Sequence, residues 1–255
     1  MLRDDYPLGV PCWVDTFQPD PESAAAFYSA VFGWVFDAPA AGGYLTARLG
    51  EHRVTGIGQA PEGSPAFWCT YVRVDRVDFS LAQVAGEGGT VLGGPLAAGG
   101  GGQMGVLTDP TGVAFAVCDR FGAELVNEPG AWAMGALHTP DLSAAGDFYG
   151  ALFGWQLEPV PGAPLSLWRL PGYVGGAPGQ PLPRDVVAVA TLATETVPPH
   201  WAVNFRVDDV DAACERAVGG GGTLLMPPTD APGFRNAVIA DPQGGVVAIS
   251  APDAV

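Results

Sequence analysis

The sequence predicts an α+β fold of four βαβββ modules, set in two halves of one duplicated chain, and three repeated phrases predict it. FYSAVFGW at 27–34 returns as FYGALFGW at 148–155. WCTYVRVDRVDFSLAQVAGEGGTVLGGP at 68–95 returns as WAVNFRVDDVDAACERAVGGGGTLLMPP at 201–228, and TDPTGVAFAVCD at 108–119 as ADPQGGVVAIS at 240–250. A separation of roughly 120–130 residues is the size of a small domain, too long for a solenoid repeat.

Each phrase carries its own element. In DPESAAAFYSAVFGW, Asp20 is a helix N-cap and Pro21 sits at the first helical position, where a missing donor costs nothing. Ala24, Phe27, Tyr28, Val31 and Phe32 fall on one apolar stripe, and Gly33 provides a left-handed stop. Asp141, Phe148, Leu152 and Gly154 repeat this in the second half. The second phrase reads as an alternating strand, a capping Asp75 or Asp208, a short helix, a glycine exit and a strand ending at proline. The D-P-x-G phrases read as hairpin turns leading into buried strands. The modules fall near 8–60, 66–119, 132–194 and 200–252. Residues 120–131 hold turn formers without a period, which predicts a linker between a first domain at 1–119 and a second at 132–255. Whether the first module pairs with the second or with the fourth is open at this level.

Composition narrows the possible functions. The chain has 255 residues, 48% of them hydrophobic, with 27 acidic residues against 11 basic ones for a net charge of −16. Such a surface repels phosphate backbones and anionic membranes, so neither nucleic acid nor a membrane is an expected partner. The four cysteines stand far apart without a C-x-x-C pair, which predicts buried thiols and a reducing, cytoplasmic setting. MLRDDYPLGVPCW lacks the apolar run of a signal peptide. The GGGG runs at 99–102 and 219–222 lack the following Lys-Ser or Lys-Thr of a phosphate loop and read as flexible turns.

The capped F-Y-x-x-x-F-G-W helix, V-D-D-V-D and D-P-x-G before the last strand of each half together resemble the vicinal oxygen chelate superfamily, which includes glyoxalases, bleomycin-resistance proteins and extradiol dioxygenases. PCWVD, NEPGA, HTPDLSAAGDFYGALFGW and HWAVNFRVDDVDAA are similar to its two-domain actinobacterial branch, labelled hydroxylase or glyoxalase-like. The resemblance implies that each half curls into a cup-shaped half-barrel sheet with helices outside. It also implies a metal site from a histidine on a first strand and a glutamate on a last strand. Those positions fall on Trp13 and Met134, and on Ala116 and Ala248, so no metal and no cofactor are expected. His52, His138 and His200 are the only histidines, and none stands at ligand spacing from another donor.

Strand alternation puts Trp13, Asp15 and Phe17 on one face, which the resemblance assigns to the first cup. Met134, Ala136 and His138 occupy the matching face in the second half, with Ala136 where the branch commonly has an acid. Asp15 is the candidate general base, with His138 as a possible proton-transfer partner. Trp13, Phe17, Trp68, Met134 and Trp201 are candidate walls for an aromatic ligand, and Arg235 a candidate contact for an anionic or carbonyl group. The favoured expectation is a metal-independent protein, monomer or homodimer, that sequesters or transforms an aromatic or polycyclic metabolite. The alternatives are a hydroxylase-, isomerase- or lyase-like enzyme using Asp15, a disfavoured metal-dependent glyoxalase or dioxygenase, and an interaction module presenting a large exposed apolar patch.

Overall fold

The computed structural model describes residues 1–176 and 182–252. The first half contains β1 (Pro11–Gln18), α1 (Pro21–Phe32), β2 (Val35–Phe36), β3 (Leu45–Leu49) and β4 (His52–Gln59), then β5 (Phe67–Arg73), α2 (Val77–Gly86), β6 (Thr90–Ala97), β7 (Gln103–Thr108) and β8 (Ala114–Cys118). The second half repeats the order: β9 (Trp132–Thr139), α3 (Leu142–Phe153), β10 (Gln156–Pro159), β11 (Ser166–Arg169) and β12 (Val186–Leu192), then β13 (His200–Arg206), α4 (Val210–Gly219), β14 (Thr223–Ala231), β15 (Phe234–Ala240) and β16 (Val246–Pro252).

Asp20 caps α1 by accepting the Ser23 amide at 3.1 Å, and Asp141 caps α3 by accepting those of Ser143 and Ala144. Gly33 and Gly154 end these helices at φ of 77° and 73°, the left-handed region that a glycine enters without a Cβ penalty. The second helix of each half departs from the expectation by one residue. Arg76 and Asp209, not Asp75 and Asp208, hold the cap positions, and Arg76 makes no side-chain cap bond. The buried Val77 and Val210 are the first helical residues and set where each helix begins.

Each half closes its own sheet. The strand orders are β2-β3-β4-β1-β5-β8-β7-β6 and β10-β11-β12-β9-β13-β16-β15-β14, so the first module pairs with the second and the third with the fourth. In both halves the two modules meet along an antiparallel pair of first strands, β1 with β5 and β9 with β13. Both sheets are mixed and open, and among the described residues no helix is long and apolar enough to cross a membrane.

The repeated phrase earns its duplication at the seam between the halves. Tyr28 of α1 donates to Asp241 Oδ2 at 2.7 Å, and Tyr149 of α3 donates to Asp109 Oδ2 at 3.2 Å. The other oxygen of each aspartate accepts the backbone amides of its own D-P-x-G turn. Trp34 donates across to Gly130 O and Trp155 to Gly9 O. Helix and turn of opposite halves are thus tied by the same four residue types in both directions. The glycine exit at 219–222 is more than a flexible turn: a Cβ on Gly222 would stand 2.9 Å from the Phe27 ring of the other half. The carbonyl oxygens of Ala240 and Ala217, at 2.7 and 3.0 Å from the same Cβ, close the space further, so only a glycine fits there.

Candidate functional site

Pairing register aligns the two cups rung by rung. In the first, Trp13 lies opposite Tyr71, followed across the sheet by Ala116, Val106 and Gly93. In the second the matching rung is Met134, Asn204, Ala248, Val238 and Met226. One pleat along, Asp15 lies between Cys69 and Gly56, and Ala136 between Ala202 and Val189. At the next pleat, Phe17 faces Phe67 and His138 faces His200.

The first cup is filled from within. Asp15 is only 3% exposed, and its Oδ2 accepts the Tyr44 hydroxyl at 2.9 Å and the Tyr71 hydroxyl at 3.1 Å, while its Oδ1 has no partner. Trp13 Nε1 donates to Tyr44 at 3.3 Å, and Phe121 packs edge-on against both Trp13 and Tyr71. Tyr44 reaches this seat because position 56 is glycine, where a Cβ would collide with its hydroxyl. Burial pushes the Asp15 carboxyl up to about 7, against the smaller downward pulls of Tyr44, Tyr71 and the nearby Trp13 N–H. The Tyr44 and Tyr71 hydroxyls are pushed well above their ordinary value by burial and by the facing carboxylate, so both stay protonated donors.

Among the described residues the second cup is open. Met134, Ala136, His138, Ala202, Asn204 and Ala248 are all half-buried, and Val189 occupies the position of Gly56, leaving no seat for a ring. Polar side chains interrupt the apolar lining. Asn204 Oδ1 accepts the Ser250 hydroxyl at 2.7 Å, which leaves the amide N–H groups of Asn204 without an acceptor among the described residues, and Asn236 stands opposite Ser250. His138 and His200 stack at 4.7 Å with a 3° interplanar angle. Burial, then the neighbouring His200, lowers His138 to about 4, so it is neutral near pH 7.

The structure separates the residues that the sequence grouped. Trp13, Asp15 and Phe17 share the first cup face, but Trp13 is a wall already used by Tyr44 and Phe121, and Phe17 stacks on Phe67 at 5.1 Å. Trp68 and Trp201 line neither cup. Each sits one residue out of phase, on the helix-facing side: Trp68 against Tyr28 and Phe205, Trp201 bonded to Tyr149 at 2.9 Å. Arg235 also turns from the cup, held by Asp211 of α4 and by Asp230. Asp15 and His138 stand in different cups and form no pair. Tyr44, Tyr71, Asn204 and Asn236 were missed. Gly56 inside a strand was the available signal for Tyr44, and alternation along WCTYVR and WAVNFR places Tyr71 and Asn204.

The resemblance places a metal on the rung through Trp13 and Ala116 or through Met134 and Ala248. Trp-Tyr-Ala and Met-Asn-Ala supply no imidazole and no carboxylate, so the residues present do not fit a divalent metal. Among the described residues no cluster of three or more His, Cys, Asp or Glu is placed to hold one.

Two mixed sheets with internally registered βαβββ modules define a duplicated protein of the vicinal oxygen chelate type. The chain belongs to the glyoxalase-like family: the profile of the Glyoxalase-like domain matches residues 13–118 and again 121–250. It is 36% identical over 268 residues to CFP32 of Mycobacterium tuberculosis, whose name assigns it provisionally to the glyoxylases, covering 98% of this chain and 97% of the relative. It is also 36% identical to the anthracycline biosynthesis protein DnrV of Streptomyces peucetius, covering 92% of this chain and 90% of DnrV. Among solved structures, the Mn(II)-bound glyoxalase from Novosphingobium aromaticivorans matches with a TM-score of 0.68 at 18% identity, covering 96% of this chain and 82% of that one. The 2,3-dioxygenase LapB from Pseudomonas sp. KL28 matches with a TM-score of 0.65 at 14% identity, covering 96% and 93%. At these identities the structural matches speak to the fold.

Proposed function

We propose that the chain is a metal-independent small-molecule binding protein that holds an aromatic or polycyclic metabolite in its second cup. The carrying observation is the rung Met134, Asn204, Ala248, Val238 and Met226, an apolar floor with one free amide donor where the family places metal ligands. A flat ring system rests on such a floor with little loss of rotamer entropy, and a ring carbonyl accepts the Asn204 amide. The imidazole of His138, uncharged near neutrality, stacks on that of His200 and offers an aromatic edge at the mouth. The names of two Streptomyces relatives, DnrV and the 34% identical DauV, both anthracycline biosynthesis proteins, support a polycyclic aromatic ligand. Titration with a hydroxylated anthraquinone should quench tryptophan fluorescence saturably, and Ala136→Trp should block it by filling the cup. Elemental analysis should find no stoichiometric transition metal. Failure to quench across a panel of polycyclic quinones, or about one equivalent of metal whose removal lowers the melting temperature, sinks this reading.

A second reading, an enzyme with Asp15 as general base, rests on a carboxyl held near 7 with one unpartnered oxygen. It requires Tyr44 to leave its seat over Gly56 so that substrate reaches Oδ1. Asp15→Asn separates the readings: unchanged binding with lost product formation favours catalysis, and no product from the wild-type protein with any bound ligand removes it.

A further inference from the structure

All eleven basic residues of this chain are arginines, and four of them line one groove together with His52. The groove, about 300 Å³, runs between the N-terminal segment, the start of β4, the end of β5 and the segment after β8, with Arg3, Arg53, Arg73 and Arg120 on its walls. Its apolar surface comes from Leu2, Tyr6 and Phe121. Phe121 presses its other side against Trp13 and Tyr71, so the groove backs onto the filled first cup and is separate from the open second one.

The arginines are unequally matched. Arg53 is committed, holding Glu124 through Nε and its own backbone amide. Arg73 meets only the exposed Asp5 at 3.5 Å, and its Nε is buried without an acceptor. Arg3 donates one terminal nitrogen to the Tyr173 hydroxyl and likewise buries an unpartnered Nε. Arg120 is exposed and has no ion-pair partner among the described residues. A guanidinium cannot shed its charge, and each buried N–H without an acceptor carries an unrecovered desolvation cost. Concentrating them in one place on a chain of net charge −16 makes sense where a planar oxyanion supplies the missing acceptors in bidentate fashion.

We propose that this groove binds a small organic carboxylate. The charge count selects a monoanion: four arginines against Asp4, Asp5 and Glu124 leave a single positive charge among the arginines and carboxylates of the groove. The apolar body of the ligand lies on Leu2 and Phe121 while its carboxylate meets Arg73, Arg3 and Arg120.

Benzoate is the probe, with benzamide as its uncharged counterpart and inorganic phosphate as a bare oxyanion. Calorimetric titration of the full chain should show saturable binding of one benzoate, weakened by added salt, with no binding of benzamide. Arg120→Gln, at an exposed and unpaired position, should weaken benzoate roughly tenfold, the loss of one charge-assisted bond. Arg73→Gln should do the same or more, while Arg76→Gln, at an arginine outside the groove, should change nothing. The proposal is overturned by equal binding of benzamide, by preference for phosphate, by no saturation with benzoate, or by benzoate binding that survives the Arg120→Gln change.

Discussion

The two cups share topology, register and seam contacts, yet one is packed shut and the other stands open. The difference comes down to a few positions facing one another on adjacent strands. Gly56 leaves a seat that Tyr44 fills, and Tyr44 in turn covers Asp15 and bonds Trp13. The matching positions of the second half carry Val189, Leu165, Ala136 and Met134, which leave nothing to cover and no ring to cover it. A duplicated sheet can therefore turn one copy into core and leave the matching face of the other half-buried without altering the strand order. What it teaches is that the buried carboxyl follows from side-chain volume at a few facing positions, because the strand order around both cups is the same.

The largest test removes the plug. Tyr44→Ala deletes a half-buried ring from the first cup and should cost about 3 kcal/mol in denaturant unfolding, while exposing Trp13 to a quencher. Leu165→Ala, its counterpart in the second half, should cost far less. If the two losses are equal, the contrast between a filled and an open cup fails.

Asp15→Asn comes next and works through pH. The folded carboxyl, raised to about 7, binds its proton more tightly than the unfolded chain does at about 3.9. The native state is therefore favoured below the unfolded value and loses stability as pH rises toward 7. Asn abolishes that loss, so the variant should exceed the wild type by something on the order of 2 kcal/mol above pH 7, with the gap closing toward pH 4. Melting curves across pH 4–8 check it, and parallel curves would show that Asp15 is not held as drawn.

Ala136→Asp transplants the acid into the open cup. Without a lid or tyrosine donors it should titrate roughly a unit or more below Asp15, read by carboxyl carbon NMR. A matching midpoint would mean that the sheet, not the plug, raises the first carboxyl. The smallest effect is expected of His138→Phe, which places the ring of Phe17 at the matching position opposite His200. His138, lowered to about 4, costs stability as pH falls below its ordinary value, because the unfolded chain takes the proton first. The variant should lose part of that acid sensitivity between pH 6.5 and 4 and change little at pH 8.

Much of this was legible without coordinates. The caps at Asp20 and Asp141, the apolar stripes and the glycine stops are local, each set by neighbours within a turn of helix. Strand parity also separated the two faces of each first strand, while the family resemblance assigned one face to the cup and matched Asp15 with Ala136. Parity applied to one strand does not carry to the next: Trp68 and Trp201 open their strands as Trp13 nearly does, yet the antiparallel register sets them on the helix side. The side chains that dress Asp15 come from residues 44 and 71, and no local rule joins them to residue 15.

The sequence by itself determined the duplication, the four modules and the absence of ligating side chains at the resembled metal positions, because periodicity, capping and residue chemistry are written along the chain. Only the tertiary structure decided which modules share a sheet, that Tyr28 and Tyr149 reach across to the aspartates of the opposite half, and which cup is full. Those depend on volumes and acceptors brought together over a hundred residues or more. A glycine at 56 means a tyrosine over a carboxylate only once β3, β4 and β1 lie side by side.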